Sequence, residues 1–170
     1  MHVAFYICAG VAVLSTAMVI TRLNAVHALL YLIVSLLAVA VIFFLLGAPF
    51  AAALEVIIYA GAIMALFVFA IMILNLGSHA VKQEHEWQKA VAWLGPCVLA
   101  ILLMVQLIYV IRTGGELIAG VGAIEPKAVA RSLYGPYMLC VELALLILLS
   151  GLVGAYHLAR RSRTTDKEER

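Results

Sequence analysis

Five apolar stretches, each long enough to cross a bilayer, account for most of this chain and leave little room for any other fold. They run over residues 3–21, 26–46, 51–76, 90–111 and 134–158. A helix needs about 20 apolar residues to span a hydrocarbon core of about 30 Å. Lipid offers no partner for a free peptide group, so stretches of this length are helices with their own backbone hydrogen bonds. Of 170 residues, 66% are hydrophobic and 12% charged. Soluble domains are usually about 45–50% apolar, so the charged fraction is too small to coat a water-soluble globule. The expected fold is all-α: an integral membrane protein with a five-helix domain over residues 1–159 and a charged tail over residues 160–170.

The breaks between stretches have local causes. Thr21, Arg22 and Asn24 end the first. GAPF at 47–50 makes a tight turn, because Gly ends a helix and Pro cannot continue one. NLGSHAVKQEHEWQK reads as a polar loop and TGGELIAGVGAIEPKAVAR as a longer glycine-bearing one. The first stretch lacks a basic segment ahead of it, since Arg22 follows it; a cleaved signal has the opposite order, so the stretch is expected to remain. The tail RRSRTTDKEER is expected to be disordered and to fix topology, with contact between its basic cluster and anionic lipid headgroups as the alternative.

Basic residues set the orientation. Arg22, Lys82, Lys89, Arg160, Arg161, Arg163, Lys167 and Arg170 fall on one side, and Arg112, Lys127 and Arg131 on the other. The richer side is cytoplasmic by the positive-inside rule. The expected N-terminus is therefore outside (periplasmic) and the C-terminus cytoplasmic. Trp87 and Trp93 then lie at the inner interface, and Tyr134 and Tyr137 at the outer, as aromatic belts require.

Two of the nine acids lie inside stretches, Glu55 in the third and Glu142 in the fifth. An ionisable group at the bilayer centre costs about 2.5–3.5 kcal/mol on insertion scales, so each should face protein or water. Two uses stand side by side: a proton path, or an interhelical hydrogen bond (for Glu55, also a side chain reaching back to water). Glu55 and Tyr59 are four apart, hence on one helical face. Gly61 with Ala65, Ser150 with Gly154, and Gly151 with Ala155 are small pairs that let another helix approach closely. Gly61 also weakens an α-helix by about 1 kcal/mol relative to Ala. A π-bulge at YAGA, a distortion that clusters at functional sites, is the sharper reading of the same residue.

Other signals are weaker. Cys8, Cys97 and Cys140 fall in apolar stretches with no CxxC or Cys/His spacing, so packing is their expected role and no metal site is expected. His27 and His157 lie at stretch ends, where a helix terminus accounts for His157. Gln106 is read as making one hydrogen bond.

Four segments carry a family likeness: AFYICAG at 4–10, NAVHALLYLIVSLL at 24–37, LEVIIYAGAIMALFVFAIMILNLG at 54–77 and LYGPYMLCVELALLILLSGLVGAYH at 133–157. They resemble the family of subunit J of bacterial proton-pumping NADH:quinone oxidoreductase, which is subunit 6 of mitochondrial complex I. The resemblance implies a π-bulge around Tyr59, Ala60, Gly61 and Ala62, with Met64 and Phe67 on the part that turns as the helix changes shape. It implies a non-redox subunit that helps couple quinone reduction to proton pumping, with possible proton-path or hydrogen-bonding roles for Glu55 and Glu142. FMN, iron–sulfur clusters, NADH and quinone would be bound by other subunits and none by this chain. Expected partners are other membrane-arm subunits, especially small neighbouring ones and the quinone-site subunit, together with lipid; no nucleic acid is expected. The expected location is the bacterial cytoplasmic (inner) membrane. Related subunits occur in cation/proton antiporters and membrane-bound hydrogenases, which leaves those readings open beside that of a structural spacer.

Overall fold

The computed structural model describes residues 2–22, 24–74, 90–112 and 122–168, and among them every regular element is a helix. In chain order these are α1 (His2–Thr21), α2 (Ala25–Leu45), α3 (Pro49–Leu54), a π-helical segment (Glu55–Ile63), α4 (Met64–Leu74), α5 (Ala90–Arg112), α6 (Pro126–Leu133) and α7 (Met138–Glu168). α3, the π segment and α4 form one continuous rod. Among the described residues five helices are long and apolar enough to cross a membrane: His2–Thr21, Ala25–Leu45, Pro49–Ile73, Trp93–Arg112 and Met138–Leu158. Each overlies one of the five stretches read from the sequence.

The chain divides into two compact units, Met1–Glu125 and Pro126–Arg170. In the first, α2 is the hub, touching α1, α3, the π segment, α4 and α5. The buried residues of α1 are Ala4, Cys8, Val11 and Ser15. Those of α2 include His27, Tyr31, Val34, Ala38, Val41 and Leu45. Both rows step alternately by four and three, the spacing of a knobs-into-holes seam. Leu103 and Val110 of α5 complete the core. Cys8 and Ala38 are fully buried, and their small side chains let the backbones close up, as membrane interfaces favour. The Cys8 thiol serves here as packing volume.

A polar clasp lies across the α1–α2 seam. The hydroxyls of Thr16 and Ser35 are 2.8 Å apart. Thr16 also donates to the Ala12 carbonyl at 2.8 Å, which Ser35 reaches at 3.2 Å. No polar atom of the pair is stranded between the helices.

The helix ends follow from the sequence. Asn24 caps α2, its side chain accepting from the Val26 N–H at 2.9 Å. At the far end Gly47 has φ 84°, where an L side chain is strained. The Ala48 N–H reaches the Phe43 carbonyl at 3.0 Å and the Gly47 N–H the Phe44 carbonyl at 3.1 Å. This double bond pattern is a Schellman motif. Pro49 then opens α3, where its missing N–H costs nothing. The Gly47 carbonyl accepts from the Ile124 N–H at 2.8 Å, tying residues 122–125 to this turn.

Two expectations are corrected. The stretch after residue 112 was expected to be a loop, yet Pro126–Leu133 is helical; Pro126 starts it, and seven residues free of Gly and Pro continue it. The tail was expected to be disordered, yet α7 continues through Glu168. A helix already propagating adds one hydrogen bond per residue and avoids a new nucleation cost, which carries it past the apolar part. The polar loop over residues 75–89 lies outside the described residues.

Candidate functional site

The π segment occupies Glu55–Ile63, sequence EVIIYAGAI. The N–H of Glu55 still bonds to Ala51 and Ala52. At the other end the Met64 N–H reaches the Tyr59 carbonyl, five residues back. That is the π bond, one residue longer than the α bond. Every added residue in such a turn displaces the downstream helix face by roughly 100° relative to a continuous α-helix, since an α turn holds 3.6 residues.

Local chemistry explains why the widening falls here. Val56, Ile57 and Ile58 are consecutive β-branched residues, which crowd the preceding turn of an α-helix. A wider turn relieves that crowding. It also swings the Val56 carbonyl under residue 61: a Cβ built on Gly61 would stand 3.2 Å from the Val56 oxygen. Gly61 admits this approach because it has no Cβ. The sequence pointed to the glycine; the β-branched run ahead of it is the further signal, and with it the distortion covers nine residues rather than YAGA alone.

Tyr59, Ala60, Gly61 and Ala62 therefore share the π segment with Glu55, its first residue, while Met64 and Phe67 belong to α4. Met64 is 4% exposed, and Tyr59 and Phe67 are each 49% exposed. Met64 is thus the inward anchor at the joint with α4, while the two rings point away from this chain's own core. Glu55 is half-buried and Glu142 exposed. Among the described residues neither carboxylate has a hydrogen-bond or ion-pair partner. Glu142 lies on α7, in the second unit. Among the described residues no group of three or more His, Cys, Asp or Glu side chains is placed to hold a metal ion.

A second cluster in the first unit was only partly visible in the sequence. The His27 and Trp93 rings meet edge to face, with centroids 5.6 Å apart at 79°. The Arg22 guanidinium carbon lies 5.4 Å from the Tyr31 ring centroid, and Arg22 Nη2 donates to the Tyr31 hydroxyl at 3.5 Å. Arg22, His27 and Trp93 were read singly, as topology and interface residues; Tyr31 carried no signal of its own within an apolar run.

Five helices long and apolar enough to cross a membrane, one of them interrupted by a π segment, define a multi-pass membrane protein. Residues 15–158 match the NADH-ubiquinone/plastoquinone oxidoreductase chain 6 family, and the chain belongs to that family. It is similar to NADH-quinone oxidoreductase subunit J of Pseudomonas aeruginosa, 58% identical over 95% of this chain and 98% of the relative. The Escherichia coli K12 subunit J is 52% identical over 98% of this chain and 90% of the relative. That of Buchnera aphidicola from Schizaphis graminum is 46% identical over 96% and 100%. The chain is accordingly part of an oxidoreductase complex, respiratory complex I, and its partners are other subunits of that complex.

Proposed function

We propose that the chain helps couple quinone reduction to proton translocation through the changeable third membrane helix. The observation that carries this reading is the nine-residue π segment with Gly61 near its end, inside a membrane span. Return of one widened turn to α geometry would rotate α4 by roughly 100°. Met64 would leave its buried place and Phe67 would sweep to a new neighbour. Two discrete arrangements of one element are what a switch requires. Glu55, at the start of the segment, and Glu142 are candidates for a proton path or for hydrogen bonds to partner helices.

In this reading the chain holds no redox group. FMN, iron–sulfur clusters, NADH and quinone sit on other subunits, and the nearest partners are small membrane-arm subunits and the quinone-site subunit. The chain lies in the bacterial cytoplasmic membrane with its N-terminus outside. The eight-to-three distribution of basic residues supports that orientation.

The test is Gly61→Ala, with Tyr59→Phe beside it, in the assembled oxidoreductase in membrane vesicles. Quinone reduction and protons moved per NADH are measured together. The reading expects fewer protons per NADH with electron transfer retained. Unchanged yield in both variants would leave the chain a structural spacer.

A further inference from the structure

Tyr31 is 2% exposed and heads the fully buried side chains by volume. Its hydroxyl occupies the space that a Cβ on Gly95 of α5 would need, and its Cζ would lie 3.1 Å from that Cβ. Glycine is therefore the residue that admits the ring. The next residue, Pro96, is buried within α5. Having no N–H, it leaves the carbonyl of residue 92 without its α-helical donor. At this turn α5 loses part of its own ladder and gains a neighbour's ring instead. One turn earlier on α2, on the same face, His27 meets Trp93, two residues before Gly95. Among the described residues His27 Nε2 is sealed from solvent with no hydrogen-bond partner, and its contact with Trp93 is one of ring packing. From the third side, Arg22 at the end of α1 holds the Tyr31 hydroxyl and stacks on its ring.

α1, α2 and α5 are thus joined through two α2 residues one turn apart, His27 and Tyr31, and α2 also touches the π segment and α4. Packed cores are bistable rather than continuously deformable, so an element that turns needs a neighbour that stays. We propose that Tyr31 is a positioning residue for coupling: seated in the Gly95 notch, it locks the register of α2 on α5, so that reshaping of the π segment turns α4 and not α2. This rests on the coupling role proposed above.

The test uses Gly95→Ala, and Gly95→Ala combined with Tyr31→Phe, in the assembled oxidoreductase, with Gly61→Ala run beside them. The added methyl of Gly95→Ala collides with the Tyr31 hydroxyl; removing the hydroxyl removes that collision and leaves the ring carbon, at 3.1 Å, to give by a few tenths of an ångström. The expected result is a loss of protons moved per NADH in Gly95→Ala with quinone reduction retained, and recovery in the double variant. If Gly95→Ala fails to assemble, assembly regained in the double variant supports the lock and assembly in neither overturns it. Unchanged proton yield in Gly95→Ala overturns it, as does a proportional fall of reduction and pumping, or a double variant no better than the single. Loss and recovery at Gly95 with Gly61→Ala unaffected would keep the lock and remove the π segment as the moving part. The opposite pattern would keep the moving part and remove the lock.

Discussion

The Val56 carbonyl oxygen stands 3.2 Å from the point that a Cβ on Gly61 would occupy, across a five-residue step within one helix. The widened turn and the missing side chain support each other there. An alanine methyl at 61 would press on the Val56 carbonyl that the widened turn brings beneath it. Gly61→Ala should therefore shift residues 55–63 toward α geometry. Amide hydrogen exchange over residues 55–64 in the assembled complex should slow; exchange as fast as in the unaltered chain would contradict this balance.

The Thr16–Ser35 clasp gives a second expectation. Thr16→Val and Ser35→Ala each remove the same 2.8 Å contact between α1 and α2. Interhelical side-chain hydrogen bonds in membranes average about 0.6 kcal/mol and reach about 1.7. Each variant should lower the unfolding free energy of the solubilised chain, read from denaturant titration, by about that amount. The double variant should cost less than the two shifts added, because the singles share one interaction.

Gly47, at φ 84°, closes α2. Placing an L side chain there costs about 1–2 kcal/mol. Gly47→Ala should lower the thermal midpoint of the solubilised chain, whereas Gly10→Ala, where an added Cβ meets nothing within 4 Å, should leave it unchanged or slightly raised.

Glu142 is exposed on α7 inside a membrane span. It lies one turn inside the span Met138–Leu158, where a carboxylate costs less than the roughly 2.5–3.5 kcal/mol of the bilayer centre but still opposes insertion. In a translocon insertion assay on residues 138–158, Glu142→Leu should raise the inserted fraction. Glu142→Gln in the assembled complex separates the two roles: a fall in proton yield with assembly retained marks a protonic group, and an unchanged yield marks a hydrogen-bonding one.

Length and apolarity made the five spans legible, and Gly47 with Pro49 made their sharpest turn legible. Which face of each span is buried was not. Lipid tails are as apolar as leucine, so Cys8 and Val11 on the seam read no differently from Val13 and Leu14, which are exposed. The steps of four and three along α1 and α2 emerge once burial is known. Gly61 signalled a weak point, but its width depended on the β-branched run Val56–Ile58 acting with it. The fit of Tyr31 to Gly95 joins residues far apart in sequence, and no local pattern announces it. The helix Pro126–Leu133 was masked by the glycines ahead of it.

The central claim is that the third membrane helix has two registers. High-resolution imaging of the assembled oxidoreductase, frozen at rest and during NADH turnover, tests it most directly. Two populations are expected, one with the π segment at Glu55–Ile63 and one with a turn of it returned to α geometry. In the second, Met64 and Phe67 are rotated by roughly 100° and Tyr31 is unmoved against Gly95. A single register of residues 55–67 in every population would contradict it.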